Sequence, residues 1–171
     1  MNQQTTILVT GASRGIGYDT VLELAKNSNN QVIALSRNTA KLNTLLAATT
    51  TNNIQILPFD LANFDTALLA QQLKNISKID ILVNNAGGFP PKPALNTSVE
   101  EFEAAFRFNV STAFAMTQLC VPHMAASSDN TSIINISSIA GQEPSSQFAA
   151  YGVAKSSLTF LTKELAQEFA P

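Results

Sequence analysis

The chain has 171 residues, 45% of them hydrophobic and 13% charged, with a net charge of −2. That length suits one globular domain. The thin charge, about half the usual share of roughly 25%, argues against a hyperthermophile, and with no basic run for a phosphate backbone or a membrane face, nucleic-acid and membrane partners are excluded. One cysteine, Cys120, excludes an internal disulfide and leaves no cysteine cluster for zinc, and the one histidine, His123, has no partner for a metal, so no metal site is expected. The amino terminus, MNQQTTILVTG, lacks a cationic segment before its short apolar run, and no stretch reaches the length of a membrane span. The expectation is a soluble cytoplasmic protein.

In chain order, TTILVTG, QVIALSR, NIQILPFD, IDILVNNAG and TSIINISS read as five strands, with intervals long enough for crossover helices. In the first interval Ile16, Thr20, Val21, Leu24 and Ala25 fall on one helical face. Nearly continuous apolar strands joined by helices imply a doubly wound parallel sheet in a three-layer α/β/α arrangement. AATTTNN (47–53), SSDNTS (127–132) and the Pro-rich GGFPPKPALNTS (87–98) are local loops; with no repeat and no linker, residues 1–171 read as a single domain.

The first strand runs into Gly11, Ala12, Ser13, Arg14, Gly15, Ile16 and Gly17, and then a helix. Glycines here allow a tight turn and let backbone N–H groups approach a pyrophosphate. The spacing is G-x-x-x-G-x-G, which alone also fits a plain strand-to-helix connection. After the second strand, where an acid would bind an NAD ribose, stand Leu35, Ser36 and Arg37. Arg37 and Arg14 together suit a 2′-phosphate, so NADP(H) is favoured over NAD(H); the bland alternative is two solvated arginines.

Ser98 and Glu101 form a capping box, followed at helical spacing by Phe102, Phe106, Asn109, Ala113 and Thr117. Asn109 thus shares an apolar face, where its amide needs partners; a packing role explains it as well as a functional one. Pro122 is expected to end or kink this helix. Cys120 reads as core and His123 as surface. Beyond Ser138, which closes the fifth strand, a helix is expected from Tyr151 to about Phe169, with Leu158, Leu161, Leu165 and Phe169 as its apolar stripe. Tyr151 and Lys155 are one turn apart, their Cβ atoms about 5 to 6 Å from each other. A free phenol, with a pKa near 10, is a poor base at neutral pH, and a nearby ammonium makes it exchange protons more readily.

Taken together, TGASRGIG, NNAG at Asn84 to Gly87, Asn109, the ISS strand end and YGVAK resemble the short-chain dehydrogenase/reductase family in order and spacing, most closely its 3-oxoacyl-carrier-protein reductases. The resemblance implies an NADP-dependent oxidoreductase acting on a small-molecule carbonyl or secondary alcohol. It implies Tyr151 as acid/base, Lys155 as the group that lowers its pKa and binds the nicotinamide ribose, Ser138 holding the carbonyl oxygen, and Asn109 keeping a relay water. Gly11, Ser13, Arg14, Gly15, Ile16 and Gly17 would form the phosphate loop, with Ser36 and Arg37 at the adenosine ribose. Asp60 and Leu61 would border adenine, Asn85, Ala86 and Gly87 would border adenosine, and Asn84 would tie strand ends. It also implies a homo-oligomer, dimer or tetramer, through the helices of 98–124 and 151–169. Family members continue with two further strands and a substrate lid, whereas this chain stops at Ala170-Pro171. The sequence therefore reads as truncated at its carboxyl end, with SIINISS as an exposed edge. The alternative, from a different class, is a cofactor-binding or interaction module without turnover.

Overall fold

The computed structural model describes residues 4–63, 65–127 and 131–169. Five strands, β1 (Thr5–Thr10), β2 (Asn30–Ser36), β3 (Ile54–Pro58), β4 (Ile81–Asn84) and β5 (Ser132–Asn135), alternate with helices. These are α1 (Gly15–Ala25), α2 (Thr39–Ala47), α3 (Thr66–Leu73), α4 (Val99–Phe106), α5 (Thr112–Met124) and α6 (Ala149–Phe169). The sheet order is β3-β2-β1-β4-β5, with β1 parallel to both β2 and β4, and β2 parallel to β3. This is the doubly wound, Rossmann-like α/β fold expected from the strand pattern. The order in which strands are added reverses between β1 and β4, where such sheets take ligands at the carboxyl ends of their strands.

Burial follows position in the sheet. In β1, Ile7, Leu8 and Val9 are buried, as are Val32, Ile33, Ala34 and Leu35 in β2, because both strands are paired on each side. At the far edge, β5 has no fully buried residue, and Ile134 is largely exposed. The strand also stops at Asn135, three residues short of the expected end, so Ser138 lies beyond the ladder.

By internal contacts the chain divides into two compact units, Met1–Ala86 with Ala115–Ile134, and Gly87–Phe114 with Asn135–Pro171. In the first, α1 covers β1 and β2, and α2 covers β2 and β3. Gly17, Val21 and Ala25 carry the buried face of α1; Ile16, expected on that face, projects outward from the first turn at 63% exposure. The buried Asp80 joins the amino ends of two strands, accepting hydrogen bonds from the Thr6 amide at 2.6 Å, the Ser127 hydroxyl and the Lys78 ammonium. Burial opposes its ionisation, yet those donors prevail and hold its carboxyl below the usual range.

In the second unit α4 packs on α6, and Val110, Ala113, Ala154 and Leu158 form a small core with Leu161 against it. The expected capping box is present, with the Ser98 hydroxyl accepting from the Glu101 amide and the Glu101 carboxylate from the Ser98 amide. The helix does not end at Pro122, which lies inside α5. The irregularity comes earlier, as a π-turn over Arg107–Ser111, a feature common at functional sites. Cys120 is core, as expected, and burial pushes its thiol up to about 12. His123 departs from its surface reading: it is half-buried, with Nδ1 2.8 Å from the Ile76 carbonyl oxygen. Phe169 is likewise exposed rather than part of the apolar stripe. Of the loop expected over 127–132, residues 128–130 lie outside the described residues, as does the Ala170-Pro171 end.

Candidate active site

In the first unit, four strand ends supply the expected nucleotide residues. After β1, Gly11 and Gly15 take φ of +68° and +55°, conformations that favour glycine. A Cβ on Gly17 would run into the Gly11 carbonyl oxygen and the Asn85 amide, so the turn closes only without one. Arg14 precedes α1 in extended conformation and gives it no side-chain cap. The first N–H groups of the helix are therefore left for another acceptor. Ser36, at the end of β2, donates to the Ser13 hydroxyl at 2.8 Å, and the Ala12 amide donates to the Leu35 carbonyl at 3.1 Å. These bonds fix the glycine turn to β2, from which the exposed Arg37 follows directly.

After β3, Asp60 accepts from the Ala62 amide and the Asn63 side chain, capping a short turn in which Leu61 is buried. After β4, Asn85 makes ties of the kind expected of its neighbour Asn84: its side chain donates to the Thr10 carbonyl at 3.0 Å. Thr10, a residue the sequence pattern does not single out, is buried with its hydroxyl accepting from the amides of Asn85 at 3.0 Å and Ala86 at 2.9 Å. Only the topology, which sets the end of β1 beside the end of β4, gives that threonine its role.

The second unit holds all four expected catalytic residues, with Gly87. Lys155 is 3% exposed, and its Nζ donates to the Ile136 carbonyl at 2.7 Å and lies 5.8 Å from the centre of the Tyr151 ring. Burial draws its pKa down from 10.5 to about 8, so it stays largely protonated at pH 7. A Cβ on Gly87 would lie 2.6 Å from Asn109 Oδ1 and 3.1 Å from Lys155 Nζ, so the glycine lets the chain pass between them. Asn109, buried in the π-turn, donates from Nδ2 to the carbonyls of Ala105 at 2.8 Å and Gly88 at 3.1 Å, while Oδ1 accepts from the Gly88 amide at 2.9 Å. Both amide hydrogens are thus spent on backbone.

Ser138 opens a one-turn 3₁₀ helix, Ile139–Gly141, its hydroxyl oxygen accepting from the Ala140 amide at 3.3 Å. Its own O–H remains a donor, whereas Ser137 is occupied with the Lys155 carbonyl and Thr159. Two glycines press this turn onto α6. A Cβ on Gly141 would lie 2.7 Å from the Ser156 nitrogen, and one on Gly152 would lie 2.7 Å from the Ala140 carbonyl oxygen. The turn begun by Ser138 thereby rests on the stretch of α6 that carries Tyr151 and Lys155. Phe148, which the sequence reading passes over, packs beside the phenol with ring centres 6.1 Å apart.

A doubly wound parallel sheet bearing a glycine turn, together with a half-buried serine, a half-buried tyrosine and a buried lysine, points to a dinucleotide-dependent class of protein. A family model described as short chain dehydrogenase matches residues 5–171, and the chain belongs to that family. Carbonyl reductase (NADPH) 2 of Sus scrofa is 34% identical over 164 residues, covering 96% of this chain and 65% of the relative. A 3-oxoacyl-(acyl-carrier-protein) reductase of Synechocystis is 32% identical over 167 residues, covering 95% of this chain and 67% of the relative. A short chain dehydrogenase from Escherichia coli CFT073, solved in complex with NADPH, superposes with a TM-score of 0.86 at 26% identity, covering 98% of this chain and 72% of that one. The chain spans about 65% of the length of the first curated relatives it matches. Among the described residues no group of three or more His, Cys, Asp or Glu could hold a metal ion, and no helix is long and apolar enough to cross a membrane.

Proposed function

We propose that this protein is an NADP(H)-dependent oxidoreductase that interconverts a carbonyl and a secondary alcohol, with Tyr151 as the acid/base. The observation that carries the reading is the buried Lys155 ammonium beside the Tyr151 ring. The residues present suit a dinucleotide: the close-packed Gly11 and Gly17 and the uncapped start of α1 make a cradle for a pyrophosphate. Arg14 and Arg37, both exposed, are the cations for a 2′-phosphate. Asp60, Leu61, Asn85 and Ala86 would border the adenosine, with Gly87 beside Lys155. Bound NADP(H) supplies the hydride in one direction and accepts it in the other.

Ser138 donates its O–H to the substrate oxygen, which gathers negative charge as the carbonyl carbon is reduced. Tyr151 gives that oxygen its phenolic proton, and Lys155 stabilises the phenolate left behind. Asn109 fixes Gly88, and a relay water held by its side chain would use the second lone pair of Oδ1. The reductase relatives favour turnover, and nothing in the comparisons supports the alternative of a module without it.

Tyr151→Phe should lower turnover on the order of 10²- to 10⁴-fold while leaving NADPH affinity by calorimetry within about threefold. A variant that keeps full turnover would sink the acid/base role, and a parent chain preferring NADH would sink the two-arginine reading. We further propose a homo-oligomer formed through α4 and α6, where Val99, Phe102, Phe106, Val153 and Phe160 are exposed apolar groups. Light scattering that finds only monomer would count against it.

A further inference from the structure

The segment Pro90-Pro91-Lys92-Pro93 has one backbone N–H, because proline has none, and that single donor is spent: the Lys92 amide donates to the Gln147 carbonyl at 2.8 Å. The same residue is fastened again through its side chain, with Nζ 2.5 and 2.6 Å from the two oxygens of Glu101, the carboxylate that closes the capping box of α4. Prolines on either side restrict the lysine backbone, so this strap is stiff before anything binds.

Its other end of contact is equally constrained. Gln147 takes a φ of +65°, the one non-glycine residue with positive φ among the described residues, in a turn closed by the Phe148 amide on the Ser145 carbonyl at 3.3 Å. A non-glycine residue held in the left-handed region costs energy and persists only where its surroundings impose it. The next residue is Phe148, whose carbonyl accepts from the Gly152 amide at 2.6 Å at the start of α6 and whose half-buried ring stands beside the Tyr151 phenol. Glu101, Lys92, Gln147 and Phe148 thus form a continuous path from the cap of α4 to the ring beside that of Tyr151.

We propose that Phe148 is a specificity-determining residue that selects carbonyl substrates bearing an apolar, ring-sized substituent, and that Lys92 is the positioning residue that holds it in place. The proposal rests on Tyr151 as the acid/base. In the proposed pose the carbonyl oxygen sits about 2.8 Å from that phenol and one substituent of the carbonyl carbon lies against the Phe148 ring, whose centre is 6.1 Å from that of Tyr151. An apolar substituent gains contact area there, and a small polar one gains little.

The test compares NADPH-dependent reduction of acetophenone and of 2,3-butanedione by the parent chain and its variants. Phe148→Ala should lower kcat/KM for acetophenone about 10- to 100-fold and for 2,3-butanedione less than about threefold. Lys92→Ala should raise KM for acetophenone with kcat for 2,3-butanedione nearly unchanged, weaken the NMR cross-peak between the Phe148 and Tyr151 rings, and be rescued by Lys92→Arg. Equal losses on both ketones, a ring cross-peak unchanged in Lys92→Ala, or a parent that reduces only 2,3-butanedione would overturn the proposal. A parent that reduces neither ketone would do so as well. The underlying reading fails by a different result, a parent that reduces a ketone and a Tyr151→Phe variant that reduces it equally well.

Discussion

The two units of this chain build their sites from different material. In the unit of β1 to β4, what matters is backbone: two glycines at positive φ, the uncapped start of α1, and strand ends pinned by Thr10 and Asn85. In the unit of α4 and α6, side chains would carry the proposed chemistry: a buried ammonium, a phenol, a serine O–H and a buried amide. The contrast follows from the tasks proposed for them. A pyrophosphate can be held by fixed N–H groups on a rigid sheet, whereas moving a proton requires groups that ionise, and these must be desolvated and propped by neighbours.

The two units should therefore answer differently to damage. The largest effect is expected from emptying their cores. Leu8→Ala, in the central strand, and Leu158→Ala, in the small core of α6, should each cost about 2 to 5 kcal/mol by denaturant unfolding. If the comparison holds, hydrogen exchange will show Leu8→Ala loosening the amides of β1, β2 and β4, and Leu158→Ala those of α4 and α6. Uniform loosening in both variants would erase the distinction.

A smaller and sharper difference is expected in pH dependence. Asp80 has a depressed carboxyl pKa, so its contribution to stability is present above the unfolded value, about 3.9, and is lost as pH falls through the folded one. Lys155 works in the opposite range. With its pKa lowered to about 8, the unfolded chain binds the extra proton between about pH 8 and 10.5, so stability rises across that window and the burial penalty is constant below it. Asp80→Asn should flatten the acid limb of the stability profile, and Lys155→Met the alkaline limb. An alkaline limb unchanged in Lys155→Met would mean that the ammonium is not desolvated in solution.

Much of this was legible from residues alone, because it rests on local patterns. Apolar runs rich in β-branched residues marked all five strands, the Ser98 and Glu101 spacing marked a helix start that the structure contains, and spacing and resemblance pointed to the glycine turn, Ser138, Tyr151 and Lys155 as the residues of the proposed site. Periodicity failed where neighbours decide the outcome. Ile16 faces outward because the buried face of α1 runs through Gly17, Val21 and Ala25, one residue further round the helix, and the helix of 98–124 is irregular at Arg107–Ser111, where no proline or glycine gives warning.

What the sequence determined by itself was the succession of elements and the kinds of reactive groups, since propensity, capping and turn chemistry act over a few residues. Tertiary structure alone decided which distant groups meet: Thr10 with Asn85, Gly87 with Asn109 and Lys155, and Lys92 with Gln147. Those meetings depend on the order of strands in the sheet and on how closely two backbones can approach, quantities that no spacing along the chain encodes.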